Sequence, residues 1–424
     1  MSTDRPLKVV FISHSDVLGG AGVVTYRLMH ALRRAGIDAR MIVYTRLTDD
    51  PNVASAGTRF IRGANFLSER LGIWLRNGMR RENLFKVSTA TTGLPLHRHP
   101  WVKEADIIAL GWINQGLLSL KGLDRLGRLG KPIVWTMHDM WCLTGICHHS
   151  YECRGYRHNC GNCQWLLGRE KDLSSKIWKR KMELFSRIPI TFVAVSNWLA
   201  ERCHESRLLS SKQIEVIHNP FPADYFAPDA LGRVRYIDTG NRPNKIVMCA
   251  ARLDDPIKGL HYAIDALNYI ASNKPELAKT ITVLFVGALA DPHALDNLKI
   301  DYYRLGRVND PNMMRDIYTS AKVVLSTSLY ETLPTTLAEG QATGCLPVTF
   351  GRGGQSDIVT HLKDGYIARY KDPESIAEGI EWALQQDVDR QALNESVRER
   401  FSSSAIAGQY IDLFKSLLDN TGEK

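Results

Sequence analysis

Short runs of consecutive apolar residues recur along the chain, separated by stretches whose apolar residues return every three or four positions. Val9-Val10-Phe11-Ile12 is the first run, and a helical pattern of Val24, Leu28, Leu32 and Ala35 follows, ending at Gly36. Met41-Ile42-Val43-Tyr44, Ile107-Ile108-Ala109-Leu110, Ile133-Val134-Trp135-Thr136 and Phe192-Val193-Ala194-Val195 continue the series. After Asn219-Pro220-Phe221-Pro222 comes a polar, proline-bearing stretch to about Asn244, which reads as a domain linker. A second series runs through Ile246-Val247-Met248, Val283-Leu284-Phe285-Val286, Val323-Val324-Leu325 and Leu346-Pro347-Val348. Unbroken apolar runs, as opposed to alternating ones, predict strands buried on both faces, hence parallel sheets covered by helices. A last helix carries Ile406, Tyr410, Leu413, Phe414 and Leu417 on one face. The expected class is α/β, with two Rossmann-like, doubly wound domains over residues 1–225 and 226–403 facing each other across a cleft.

A chain of 424 residues with 44% hydrophobic and 23% charged content fits a soluble protein of two domains. No run approaches the roughly 20 apolar residues of a membrane span. The N-terminus leads straight into a strand without a signal-like apolar region, so a cytoplasmic protein is expected. The net charge of +9 draws anions in general. No nucleic-acid motif accompanies it, which leaves phosphorylated small substrates and anionic lipid. Residues 57 to 104 are the most basic part, with Arg59, Arg62, Arg70, Arg76, Arg80, Arg81 and Lys86 among Phe60, Phe66, Leu71 and Trp74. Such a stretch is either a peripheral contact for the inner membrane face or a plain solvated helix face.

Three groups of polar residues follow strands of the second domain. Arg252 ends a strand and Lys258-Gly259 follows six residues on; a planar fork and a point charge at a strand end suit a diphosphate. Glu331 and Glu339 flank Thr332-Leu333-Pro334 and the start of a helix near Pro334, and the helical spacing puts both acids on one face, one for a sugar and one for ribose hydroxyls. Gly351-Arg352-Gly353-Gly354-Gln355 follows the next strand, where side-chain-free residues let backbone amides approach a phosphate.

Arg252…Lys258-Gly259, Ser328-Leu329-Tyr330-Glu331-x7-Glu339 and Gly353-Gly354-x-x-Asp357-Ile358-Val359 together resemble glycosyltransferase family 4, retaining enzymes of the GT-B fold. Gly19-Gly20-Ala21, Thr136-Met137-His138-Asp139, Val195-Ser196 and His218-Asn219-Pro220 agree in the first domain. The resemblance is greatest to the exopolysaccharide and colanic-acid branch, in which a short cysteine-rich insert follows His-Asp. It implies transfer of a sugar from a nucleotide diphosphate donor to a glycan or lipid-linked acceptor in capsular, exopolysaccharide or O-antigen-type synthesis, without a catalytic metal. It also implies that Arg252 and Lys258 hold the diphosphate and that Glu331 meets the sugar and Glu339 the ribose. Gly20 and the amides around Thr332 and Leu333 would approach phosphate or sugar oxygens, and residues 404–424 would pack back on the first domain. His138 either positions the sugar or the acceptor hydroxyl, or is a buried structural histidine. Two departures, Thr332-Leu333-Pro334 for the usual Gly-Phe-Gly and Asp357 for the usual Glu, bear on sugar choice. The rival readings are a nucleotide-sugar epimerase of similar fold and a non-catalytic, zinc-stapled binding protein.

Of eight cysteines, Cys203, Cys249 and Cys345 read as buried thiols. Within an insert at 142–165, Cys147-x5-Cys153-x6-Cys160-x2-Cys163 has one knuckle-like pair, with His148, His149 and His158 in reserve. The cluster reads as a structural zinc site, as four reduced surface thiols, or as a disulfide made on isolation.

Overall fold

The computed structural model describes residues 5–81, 83–167, 172–226 and 242–422. It divides into two compact units, one of Met1–Pro220 with Ser403–Lys424 and one of Phe221–Ser402. The linker expected up to about Asn244 falls mostly on residues 227–241, outside the described residues.

In the first unit, strands β1 (Lys8–Ser15), β2 (Asp38–Thr45), β3 (Val53–Ser55), β4 (Ile107–Leu110), β5 (Ile133–Met137), β6 (Ile190–Ala194) and β7 (Ile214–Val216) form one sheet in the order β3-β2-β1-β4-β5-β6-β7. Every pairing is parallel. The central strands are buried on both faces, as their unbroken apolar runs require. The final helix, Ser403–Gly422, belongs to this unit. Ile406, Tyr410 and Phe414 enter the same apolar cluster as Leu28, Met29 and Leu32 of the helix Gly19–Arg34. A 2.7 Å hydrogen bond joins the hydroxyls of Tyr410 and Thr136 inside that core.

The second unit repeats the plan with β8 (Asn244–Arg252), β9 (Ile281–Ala288), β10 (Tyr302–Gly306), β11 (Val323–Ser326), β12 (Leu346–Phe350) and β13 (Tyr366–Ala368). The order is β10-β9-β8-β11-β12-β13, again parallel throughout. Each sheet is wound outward in both directions from its first strand. The winding therefore reverses between β1 and β4 in one unit and between β8 and β11 in the other. Loops leaving the carboxyl ends of those pairs diverge, and a ligand crevice forms there.

Candidate functional site

Beyond the carboxyl ends of β8, β11 and β12, three loops are tied into one surface. Gly259 adopts φ +61°, and a Cβ there would lie 2.3 Å from the carbonyl oxygen of Thr327, so only glycine lets the β8 loop lie against the β11 loop. The Thr327 hydroxyl donates to the carbonyls of Lys258 and Gly259, at 3.1 and 2.9 Å, and Leu329 N–H donates to Ile257 O at 2.8 Å. The β12 loop joins through Gly354 N–H, which donates to Glu331 O at 2.9 Å.

On this platform Lys258 Nζ forms an ion pair with Glu331 Oε1. The Glu331 carboxylate holds the Lys258 ammonium above its ordinary range, so the cation persists at any physiological pH. Arg252 stands at the very end of β8, about half exposed, with Asp255 at 3.2 Å and Asp254 at 3.7 Å. Thr332 and Leu333 lie between Glu331 and Pro334, and the helix Thr335–Ala342 follows with Pro334 at its N-cap and no side-chain cap. Leu337 N–H already donates to Pro334 O at 3.1 Å, and the N–H groups of the turn before it face the end of the helix that suits an anion.

The two acids do not share a helical face. Proline lacks an N–H and sits before the helix, so Glu331 lies in the loop while Glu339 lies within the helix. Burial, with the Glu339 charge next, pushes the Cys249 thiol up to about 12. Arg252, Lys258, Glu331, Thr332 and Leu333 thus share the strand-end loops, and Glu339 lies in the helix that leaves them. Cys249 itself is only partly buried, unlike Cys203 and Cys345.

In the first unit, Gly22, not Gly20, makes the close approach of helix to strand. A Cβ on Gly22 would lie 2.8 Å from Ser15 O, whereas Gly20 has open space around it. His138 follows β5 and borders a small cavity with Thr25, Thr136, His218 and Tyr410. Its Nε2 is 3.5 Å from Thr25 Oγ1, and burial holds the ring down to about 4, so it is neutral at pH 7. Next to it, Asp139 is the centre of a network the sequence did not reveal. It accepts from Trp112 Nε1–H and from Trp141 N–H, both at 2.7 Å, and pairs with His148 Nδ1 at the same distance. Burial opposes its charge, but these partners bring the carboxyl down to about 2. His148 Nε2 is 3.0 Å from Ser88 Oγ, so both its ring nitrogens are engaged and it is not a reserve metal ligand. His14 stacks on Tyr44 with centroids 4.8 Å apart and meets Trp112 edge-on at 5.3 Å. Trp112 and His14 give no motif; their places just after β4 and near the end of β1 were the available signal.

Cys147, Cys153, Cys160 and Cys163 all border one cavity and are free thiols. Among the described residues, no three or more His, Cys, Asp or Glu side chains stand in a metal-holding arrangement.

A family model described as glycosyltransferase family 4 matches residues 18–225, and one described as glycosyl transferases group 1 matches residues 244–386. Over 123 residues the chain is 29% identical to an uncharacterised glycosyltransferase, MJ1607, of Methanocaldococcus jannaschii, covering 28% of this chain and 31% of that protein. Over 186 residues it is 27% identical to the D-inositol 3-phosphate glycosyltransferase of Corynebacterium urealyticum, covering 41% of this chain and 43% of that protein. The chain thus spans less than half the length of the curated relatives it matches. Among solved structures, Anabaena Alr3699/HepE in complex with UDP and glucose is similar with a TM-score of 0.61 at 17% identity, over 97% of this chain and 100% of that one. At that identity the likeness shows the fold, two parallel-sheet units of the GT-B type.

Proposed function

We propose that the chain is a glycosyltransferase of the kind that the group 1 and family 4 models describe, and that it moves a sugar from a nucleoside diphosphate donor to a glycan or lipid-linked acceptor, with retention at the anomeric carbon. The observation that carries this reading is the meeting of Lys258, Glu331, Arg252 and an uncapped helix N-terminus at the winding reversal of the second sheet. Lys258 and Arg252 offset the diphosphate charge, which grows as the anomeric C–O bond to the β-phosphate breaks. The amides of Thr332 and Leu333 add donors to the phosphate oxygens; Pro334 has none to give. Glu331 accepts from sugar hydroxyls and Glu339 from the ribose. The new bond joins the anomeric carbon to an acceptor hydroxyl oxygen on the face the phosphate leaves, and the hydroxyl proton passes to the departing phosphate or to solvent. His138, neutral at pH 7, orients the sugar or the acceptor hydroxyl, and Gly20 leaves its backbone open to oxygens of the donor. No step calls for a metal. The product belongs to capsular, exopolysaccharide or O-antigen-type synthesis.

The lipid-linked acceptor draws support from the helix Arg59–Arg76, whose burial is inverted. Its inward face holds Glu69 and Arg70, paired at 3.3 Å, so Arg70 is no part of a basic surface. Phe60, Leu67, Leu71 and Leu75 form an exposed stripe beside exposed Arg59, Arg76, Arg80 and Arg81. An apolar stripe rimmed by cations suits an anionic bilayer surface. Among the described residues no helix is long and apolar enough to cross a membrane.

A panel of nucleotide sugars with lipid-linked and free glycan acceptors, read by proton NMR of the product, tests the reading. Transfer with the donor's anomeric configuration supports it. Release of an epimerised donor, or of an inverted product, contradicts it.

A further inference from the structure

The cysteine insert lies in the first unit, apart from the strand ends of the second sheet. Cys147, in an antiparallel bridge with Val87, and Cys153, Cys160 and Cys163, further along the insert, all border one cavity. Cys160-Gly161-Asn162-Cys163 bends sharply, with φ of 44° at Cys160, 139° at Gly161 and 46° at Asn162, and both cysteines of the pair line that cavity. Left-handed backbone at two non-glycine residues in a row of three is retained where the surroundings impose it. Gly145 N–H donates to Cys160 Sγ at 3.3 Å and Gly155 N–H to Cys153 Sγ at 3.4 Å.

A different observation points the same way. Lys181 is fully buried, in the helix Leu173–Arg187. Its ammonium donates to Trp141 O and to Thr144 O, at 2.5 and 3.1 Å, and lies 3.3 Å from the centroid of the Trp141 ring. Thr144 in turn donates its hydroxyl to Cys147 O at 2.6 Å, and the next residue, Gly145, donates its N–H to Cys160 Sγ, so the ammonium sits against the backbone that carries two of the four cysteines. A buried cation is costly unless an anion faces it, and carbonyls and a ring supply only partial charges.

We propose that Cys147, Cys153, Cys160 and Cys163 bind one zinc ion as a structural tetrathiolate, and that Lys181 faces its negative charge. Four thiols release four protons to solvent as four S–Zn bonds form, so a dication becomes a centre of charge −2. Four soft sulfur ligands select zinc over harder divalent ions. The staple has a consequence for the neighbouring site. Cys147 precedes His148, whose ring holds Asp139, so the metal fixes the residue beside His138.

The test is metal analysis of the full chain purified without chelator or added zinc, then dialysed against metal-free buffer. About one zinc per chain is expected, as a closed four-ligand site holds its ion. Exchange with cobalt should give the thiolate-to-metal charge-transfer absorption of a tetrahedral sulfur site. Cys163→Ser should lose most of the metal, Cys153→His should keep it, and Cys249→Ser, in the other unit, should leave it unchanged. Wild-type protein without zinc, whose four thiols react with a disulfide reagent as fast when folded as when unfolded, overturns the proposal even if every variant misfolds. Metal content is read without any transfer assay, so failure here leaves the glycosyltransferase reading standing.

Discussion

Replacing Gly259 by alanine tests the strand-end platform most sharply. The new Cβ would lie 2.3 Å from Thr327 O, while real Cβ contacts do not fall below 3.0 Å, so the β8 and β11 loops must part by at least 0.7 Å (3.0 minus 2.3). Alanine at φ +61° adds a backbone penalty of about 1 kcal/mol. Parting the loops strains the Thr327 hydrogen bonds to Lys258 O and Gly259 O and moves Lys258 relative to Glu331. A displacement of roughly 1 Å in a positioned site lowers turnover by about 100-fold. Donor affinity should fall with it, read by calorimetric titration of the best nucleotide sugar, while transfer is followed by product release. Gly63→Ala is the control: a Cβ there meets nothing within 4 Å, in a helix where alanine is favoured, so stability should hold or rise. If Gly259→Ala binds and transfers like the wild type, the loops do not position the chemistry.

Stability should depend on acid through two histidines. Burial holds His14 and His138 at about 4 in the folded chain, against 6.5 when exposed. The unfolded chain therefore binds more protons in this window, and stability falls as pH drops from about 6.5 to about 4, by on the order of a few kcal/mol for the pair. Urea unfolding across that range should show the slope, and His14→Asn should reduce it; a flat profile contradicts the burial argument. Phe414→Ala should destabilise the first unit by roughly 3 to 5 kcal/mol, since it opens a void in a closed core. An unchanged melting temperature would mean the final helix does not pack as described. Tyr410→Phe removes one partner of a buried hydroxyl pair and should lower stability by about 1 to 2 kcal/mol, detectable in the same unfolding curves.

The central strands were legible because burial on both faces forces unbroken apolar runs, as in Ile133-Val134-Trp135. The edge strands were not. Val53-Ala54-Ser55 and Ile214-Glu215-Val216 are three residues each, too short to show a period, and β10 is largely exposed. Arg252, Lys258 and Glu331 could be found because charge at a strand's end stands out against the apolar run before it. Lys181, Glu69 and Arg70 could not, since a charged residue in a helical pattern looks solvated until its carbonyl or ionic partners are placed. Asp139 stood in a visible motif, but its partners Trp112 and His148 arrive from separate loops.

The central claim is that the strand ends of the second sheet hold a nucleoside diphosphate group through Lys258 and Arg252. Calorimetric titration of UDP, ADP and GDP into the wild type, Lys258→Met and Arg252→Ala measures it directly. One diphosphate should bind the wild type, and Lys258→Met should weaken it by about 10-fold or more, the loss of one charge-assisted contact. Arg252→Ala should weaken it less, as that side chain is half in solvent. Equal affinity in all three proteins, or no binding of any diphosphate, would contradict the account.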